Sequence, residues 1–152
     1  MRIGLISDTH GLLRAAALAA LRGSEQIIHG GDIGEASLLE SLAQLAPLTV
    51  VRGNNDTAPW AQSLPEQARL QVGPIRVLVV HDLKSLDPES LSWQPRVIVS
   101  GHSHQPSVRE AHGVLYVNPG SAGPRRFRLP ISLAELIISG EQVRARLIDL
   151  PP

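Results

Sequence analysis

Short apolar runs alternate with amphipathic segments through the first third of the chain, and each run ends in a cluster of glycine and polar residues. Residues 1–6 alternate as a strand does and end in Ser7-Asp8-Thr9-His10-Gly11, which places a carboxylate and an imidazole on the following loop. Residues 12–21 predict a helix, with Leu13, Ala16, Ala17, Ala20 and Leu21 on one face and Gly23 as its stop. Residues 26–29 form a second short strand, followed by Gly30-Gly31-Asp32 and an amphipathic helix over 36–45 that Pro47 closes. Residues 48–52 make a third strand, ending in Gly53-Asn54-Asn55-Asp56. Strands alternating with helices in this way imply βαβ units and a parallel sheet, with ligands beyond the carboxyl ends of the strands.

The second half has a different texture. Residues 68–72 and 75–80 flank Gly73-Pro74 as a β-hairpin, and the second of these strands ends in His81-Asp82. A weak helical segment over 88–93 precedes the β-branched run Val97-Ile98-Val99, which ends in Ser100-Gly101-His102-Ser103-His104. A strand over 114–117 ends in Asn118-Pro119-Gly120-Ser121, and a terminal hairpin pairs 131–138 with 142–150. Antiparallel strands thus join the parallel set, and the absence of a linker or repeat predicts one domain over 1–152.

Composition narrows the chemistry. Zero cysteines exclude disulfides and thiolate ligands, so a metal would be held by nitrogen and oxygen. Fourteen basic and fourteen acidic residues cancel, which argues against a partner such as long DNA or RNA. No apolar run reaches the roughly 20 residues of a membrane span. Nor does a basic, apolar leader open the chain, so a cytoplasmic protein without membrane contact is expected.

Six predicted strand ends carry, in order, Asp8 with His10, Asp32, Asn54, His81, His102 with His104, and Asn118. Taken singly, Asp8 is also a helix cap, Asp32 a turn residue and Asn54 a left-handed turn position. Taken together, they put four of the six histidines at strand tips. His29 reads as a core or supporting residue and His112 as a solvated turn.

Asp8-x-His10, Gly31-Asp32, Gly53-Asn54, His81 and Gly101-His102-Ser103-His104, in this order, resemble the calcineurin-like metallophosphoesterases. The short length and Asn118-Pro119-Gly120-Ser121 are most similar to the small bacterial and archaeal single-domain phosphodiesterase branch. The resemblance implies a four-layer α/β/β/α sandwich, two mixed β-sheets flanked by helices. It also implies two divalent ions, Mn²⁺ first with Fe²⁺, Ni²⁺ or Zn²⁺ as alternatives. One ion would take Asp8, His10, Asp32 and His104, and the other Asp32, Asn54, His81 and His102. Two such ions roughly 3.5 to 4 Å apart hold a bridging hydroxide for in-line attack on a phosphodiester. Asp32, Asn54, Asn55 and His81 are the catalytic positions so implied, and the partner is a small phosphate ester, with homo-oligomerisation left open.

Asn55 departs from the pattern, because many members carry there a histidine that protonates the leaving group. Losing a general acid costs typically about 10²- to 10⁴-fold. Activated or aryl diesters are therefore expected to react ahead of alkyl monoesters. His81-Asp82 replaces a common His-Gly, and Asp82 has two readings, orienting an imidazole or facing solvent. Asp56 serves its own loop or a ligand histidine, Trp60 lines a cleft or packs beneath it, and Trp93 reads as core. Arg125 and Arg126 follow the Asn118 turn and suit phosphate contact, although exposed arginines are more often solvated. If extended, the His102–His104 loop would hold its histidines about 6 to 7 Å apart, one per ion. The competing function is a non-catalytic scaffold, since the small retromer subunit resembles this fold with a degraded site. A phosphomonoesterase or nucleotidase is a further alternative.

Overall fold

The computed structural model describes residues 1–152. Three parallel strands, β1 (Arg2–Ile6), β2 (Gln26–His29) and β3 (Leu48–Val50), form one half of a five-stranded sheet. The antiparallel hairpin β9 (Ser132–Ser139) and β10 (Gln142–Asp149) completes it in the order β10-β9-β1-β2-β3. A second sheet runs β4-β5-β6-β8-β7, from β4 (Gln67–Val72), β5 (Ile75–Val80), β6 (Val97–Val99), β7 (Ser107–Ala111) and β8 (Val114–Asn118). Its three central strands are parallel, and the edge strands β4 and β7 are antiparallel to their neighbours.

Alternation of side chains sorts the core into layers. Ile3 and Leu5 of β1 meet Val77, Val79, Val97 and Val99 between the two sheets. Helices α1 (Ala15–Leu21) and α2 (Ala36–Ala43) cover the outer face of the first sheet, where Leu21 and Leu42 pack with Ile6 and Ile27. Leu78, Val80 and Ile98 point out of the second sheet beneath half-buried Trp93, beside the short helix α3 (Pro88–Ser92). Four layers result, as the family resemblance implied. Burying apolar area on three interfaces supplies the main stabilisation, at about 25 cal/mol per Å² removed from water.

Specific polar contacts anchor the layers. Arg2 donates to the Ala20 and Arg22 carbonyls at the end of α1, and its Nε lies 2.6 Å from Glu135 on β9. Glu135 also accepts from Arg146 of β10 at 2.9 Å; burial pushes its carboxyl up, but Arg2 and then Arg146 outweigh this and hold it below the usual carboxylate range. No helix is long and apolar enough to cross a membrane.

One local expectation needs correction, and two further features go beyond the sequence reading. The first helix begins at Ala15 rather than residue 12, because the Gly11 amide is bonded to Ile33 O (2.7 Å) and the Leu12 amide to Thr9 O (2.9 Å). The loop after β1 thus consumes the residues that would have been the first helical turn. Strand β7 lacks any sequence signal, since Ser107 to Glu110 are exposed and only one edge is paired. Residues 59–63 form a 3₁₀ turn that places Trp60, half-buried, under the first sheet's helical layer.

Candidate metal centre

The carboxyl ends of β1, β2, β3, β5, β6 and β8 converge, and their loops carry Asp8 and His10, Asp32, Asn54, His81, His102 and His104, and Asn118 in turn. The first two loops continue the β1–β2 pairing beyond the strands, with Asp8 N bonded to Gly31 O and His10 N to Asp32 O, both at 3.0 Å. Asp8, His10, Asp32, His102 and His104 all have φ between 45° and 71°, a region sparsely used outside glycine. Such strain persists only where surrounding bonds fix the backbone, and it concentrates in functional loops. The left-handed turns at His102 and His104 also overturn the extended reading of that loop.

The turns aim the two histidines at different neighbours. His104 stacks on His10, with ring centroids 5.2 Å apart, while His102 meets His81 edge-on at 5.3 Å. One group is Asp8, His10 and His104, and a second is Asp8, Asp32 and His81. In the first, His104 Nε2 lies 3.4 Å from Asp8 Oδ1 and 3.3 Å from His10 Nε2. In the second, His81 Nε2 lies 3.4 Å from Asp32 Oδ2 and 2.9 Å from Asn54 Oδ1. His10 Nε2 is 3.8 Å from the same Asp32 oxygen, so Asp32 stands between the groups. His102 is half-exposed, and its Nδ1 is 3.2 Å from Asn54 Oδ1.

Buried polar atoms here lack partners of ordinary kind. Asp8 Oδ2 accepts from Ser7 Oγ (2.7 Å) and the His102 amide (3.1 Å), whereas Asp8 Oδ1 is fully buried with no hydrogen bond. An unsatisfied buried carboxylate oxygen is costly, and two imidazole nitrogens facing each other repel unless one carries a proton. A cation between them relieves both. The donor set of carboxylate, imidazole and amide oxygen suits a first-row divalent ion.

A surrounding layer fixes these groups. The Gly30 carbonyl can only accept, so His81 Nδ1 (2.7 Å) carries a proton, and Nε2 is the nitrogen turned to the cluster, where it would have to give up its own proton to ligate a cation. Burial lowers the His81 pKa, but its bonds to Asp32 and Gly30 outweigh this and raise it. Asp32 is pushed up by burial and further down by His81 and Asn55, to about 2. Asp56 settles into its own loop and the next: its buried carboxylate accepts from the amides of Asp32 (2.9 Å), Ile33 (2.9 Å) and Gly53 (2.8 Å). Asn118 Nδ2 donates to Gly101 O (2.9 Å) and Ser103 Oγ (3.1 Å), bracing the histidine loop.

His29 is buried as the sequence suggested. Its Nδ1 accepts from the Gly31 amide (3.0 Å), so Nε2 carries the proton toward Thr9 Oγ1 (3.0 Å), which donates to Ile33 O. Burial holds it neutral, with a pKa lowered to about 4. His112 is exposed in the turn before β8. Asp82 does two things, capping the turn at Lys84 N (3.0 Å) and facing His102 Nε2 at 3.7 Å. Arg125 turns back on its own loop to Leu129 O (3.2 Å), and Arg126 is exposed beside it. Ser7 and Ser121 carry no sequence signal as site residues, because their roles depend on other loops; Ser121 Oγ, for example, donates to Asp8 O at 2.9 Å.

Residues 1–141 match the family model of the calcineurin-like phosphoesterase superfamily domain. A probable metallophosphoesterase of Methanothermobacter thermautotrophicus is 35% identical over 97% of this chain and 92% of its own length. Phosphodiesterase YfcE of Escherichia coli K12 is 28% identical over 80% of this chain and 79% of its own length. Among solved structures, Vacuolar Protein Sorting 29 of Cryptosporidium parvum shares the fold, with a TM-score of 0.84, 24% identity and coverage of 99% of this chain and 91% of that one.

Proposed function

This chain belongs to the calcineurin-like phosphoesterase superfamily, and from that membership we propose that it is a dinuclear metal-dependent phosphodiesterase. The observation that carries the reading is the buried, unpartnered Asp8 Oδ1 facing the imidazole nitrogens of His10 and His104, with Asp32 and His81 adjoining. Asp8, His10, Asp32 and His104 would hold one ion, and Asp32, Asn54, His81 and His102 the other. Mn²⁺ is the first choice, ahead of Fe²⁺, Ni²⁺ or Zn²⁺. When bound, two divalent ions supply Lewis acidity toward phosphoryl oxygen and a lowered pKa for water.

The chain's own residues orient and hold. Gly30 keeps the proton on His81 Nδ1, so that Nε2 is the nitrogen that would ligate an ion once its own proton leaves. Asn55 offers an amide where a proton donor would stand, so the leaving group departs without protonation from that position, and low-pKa leaving groups are favoured. Arg125 and Arg126 remain proposed substrate contacts, and Arg125 would have to release the Leu129 carbonyl to serve as one.

The test is metal content joined to hydrolysis. Purified protein is expected to retain up to two divalent ions per chain and to cleave a bis-aryl phosphodiester, and Asp32→Ala should abolish both. Retained metal without hydrolysis of any phosphate ester would overturn the enzyme reading in favour of a metal-bearing scaffold.

A further inference from the structure

Beside the Asn54 and His81 half of the cluster lies an open cavity of about 400 Å³, bounded by the loop after β3 and the loop after β5. Ten residues line it and none is hydrophobic. Ligand sites are ordinarily lined by apolar and aromatic side chains with a few polar groups, so this lining is selective by composition. Trp60, the aromatic nearest in sequence, packs into the helical core layer and is not part of the wall.

The charges of the wall are already engaged. Arg52 is 2.8 Å from Glu66 and donates to the Gln62 carbonyl, and Asp56 is occupied by backbone amides. Asp82 and Glu66 add negative charge toward solvent. A second phosphate thus meets no free arginine or lysine, and an aromatic ring meets no hydrophobic side chain. Thr57 is exposed with its hydroxyl available, and Ser85 Oγ, bonded to Asp82 O at 2.7 Å, keeps lone pairs to accept. Those groups fit an uncharged arm carrying several hydroxyls.

We propose that this cavity is a subsite for a neutral, hydroxyl-rich ester arm, such as a glyceryl or sugar group, of a phosphodiester whose phosphate sits on the cluster. The inference rests on the phosphodiesterase reading and names the substrate class within it. It concerns the arm that is retained, so it is compatible with a good leaving group on the other side.

The test separates the subsite from catalysis. Metal-loaded protein is titrated calorimetrically with glyceryl methyl phosphate and with phenyl methyl phosphate, and the corresponding glyceryl and phenyl diesters of p-nitrophenol are assayed in parallel. The glyceryl compound should bind roughly tenfold more tightly, as one or two net hydrogen bonds allow. Thr57→Val combined with Ser85→Ala, both on exposed turns, should bring the two within about twofold. That pattern without any hydrolysis would support the subsite and overturn the enzyme reading alone. Equal or tighter phenyl binding, no binding of either diester, or a preference that the double variant keeps would overturn the subsite, whatever the hydrolysis assay reads.

Discussion

Asn55 grips Asp32 by both carboxylate oxygens, its backbone amide donating to Oδ1 at 2.9 Å and its side-chain Nδ2 to Oδ2 at 3.1 Å. A position that could carry a proton donor instead braces the carboxylate at the centre of the cluster. Asn55→Ala removes only the Nδ2 bond, and loss of such a supporting contact typically costs about 10- to 100-fold in metal affinity or activity. Asn55→His is expected to raise hydrolysis of alkyl diesters relative to aryl diesters, because an imidazole can protonate the poorer leaving group. The ratio of the two rates, measured across pH, checks this; a ratio unchanged in the histidine variant would show that leaving-group protonation is not what this position controls.

Asp56 is not among the candidate ligands, yet it ties the loops after β2 and β3 together. Asp56→Ala would strand three buried amides, and we expect a loss of about 3 to 5 kcal/mol. That corresponds to a fall in melting temperature on the order of 10 °C for a chain of this size. Thermal denaturation in the presence of chelator isolates the effect from metal binding, and a fall of only a degree or two would contradict it.

Asp8→Asn keeps the shape of the buried carboxylate while removing its charge. Wild-type protein should gain melting temperature as Mn²⁺ is added, by mass action on the folded state. The variant should gain much less. In chelator the order should shrink or reverse, because the orphaned Oδ1 no longer buries an unpaired charge. Melting curves at several Mn²⁺ concentrations distinguish these outcomes.

His29 makes a pH signature of its own. Its pKa falls from 6.5 to about 4 on folding, so between those values the unfolded chain binds the extra proton. Stability from this residue is complete above about pH 6.5 and is lost as the pH drops toward 4, by up to about 1.4 kcal/mol per pH unit and on the order of 3 kcal/mol in all. The window lies above that of Glu135, whose lowered carboxyl pKa sets losses at more acid pH. Urea unfolding from pH 4 to 7.5 in chelator should show the slope in wild type and a shallower one in His29→Gln.

Much of the site was readable in order along the chain. Asp8, His10, Asp32, Asn54, His81, His102 and His104 each end a strand whose apolar run announces it, and a parallel sheet brings such ends to one side. Asp56 was not assignable, since turn residues and buried amide acceptors look alike until the neighbouring loop is in place. Strand β7 was invisible because an exposed edge has no buried face to impose alternation.

The sequence by itself determined most of the strands, the helices and the donor types: apolar alternation is a local consequence of backbone geometry, and imidazole and carboxylate chemistry travels with the residue. Only the tertiary structure decided which donors meet. The left-handed turns at His102 and His104 send one ring to His81 and the other to His10, and the bonds that hold those turns come from residues distant in the chain: the His102 amide on Asp8 Oδ2, and Asn118 on Gly101 O and Ser103 Oγ. Such strained turns exist only where long-range contacts outweigh their cost, so no local pattern encodes them.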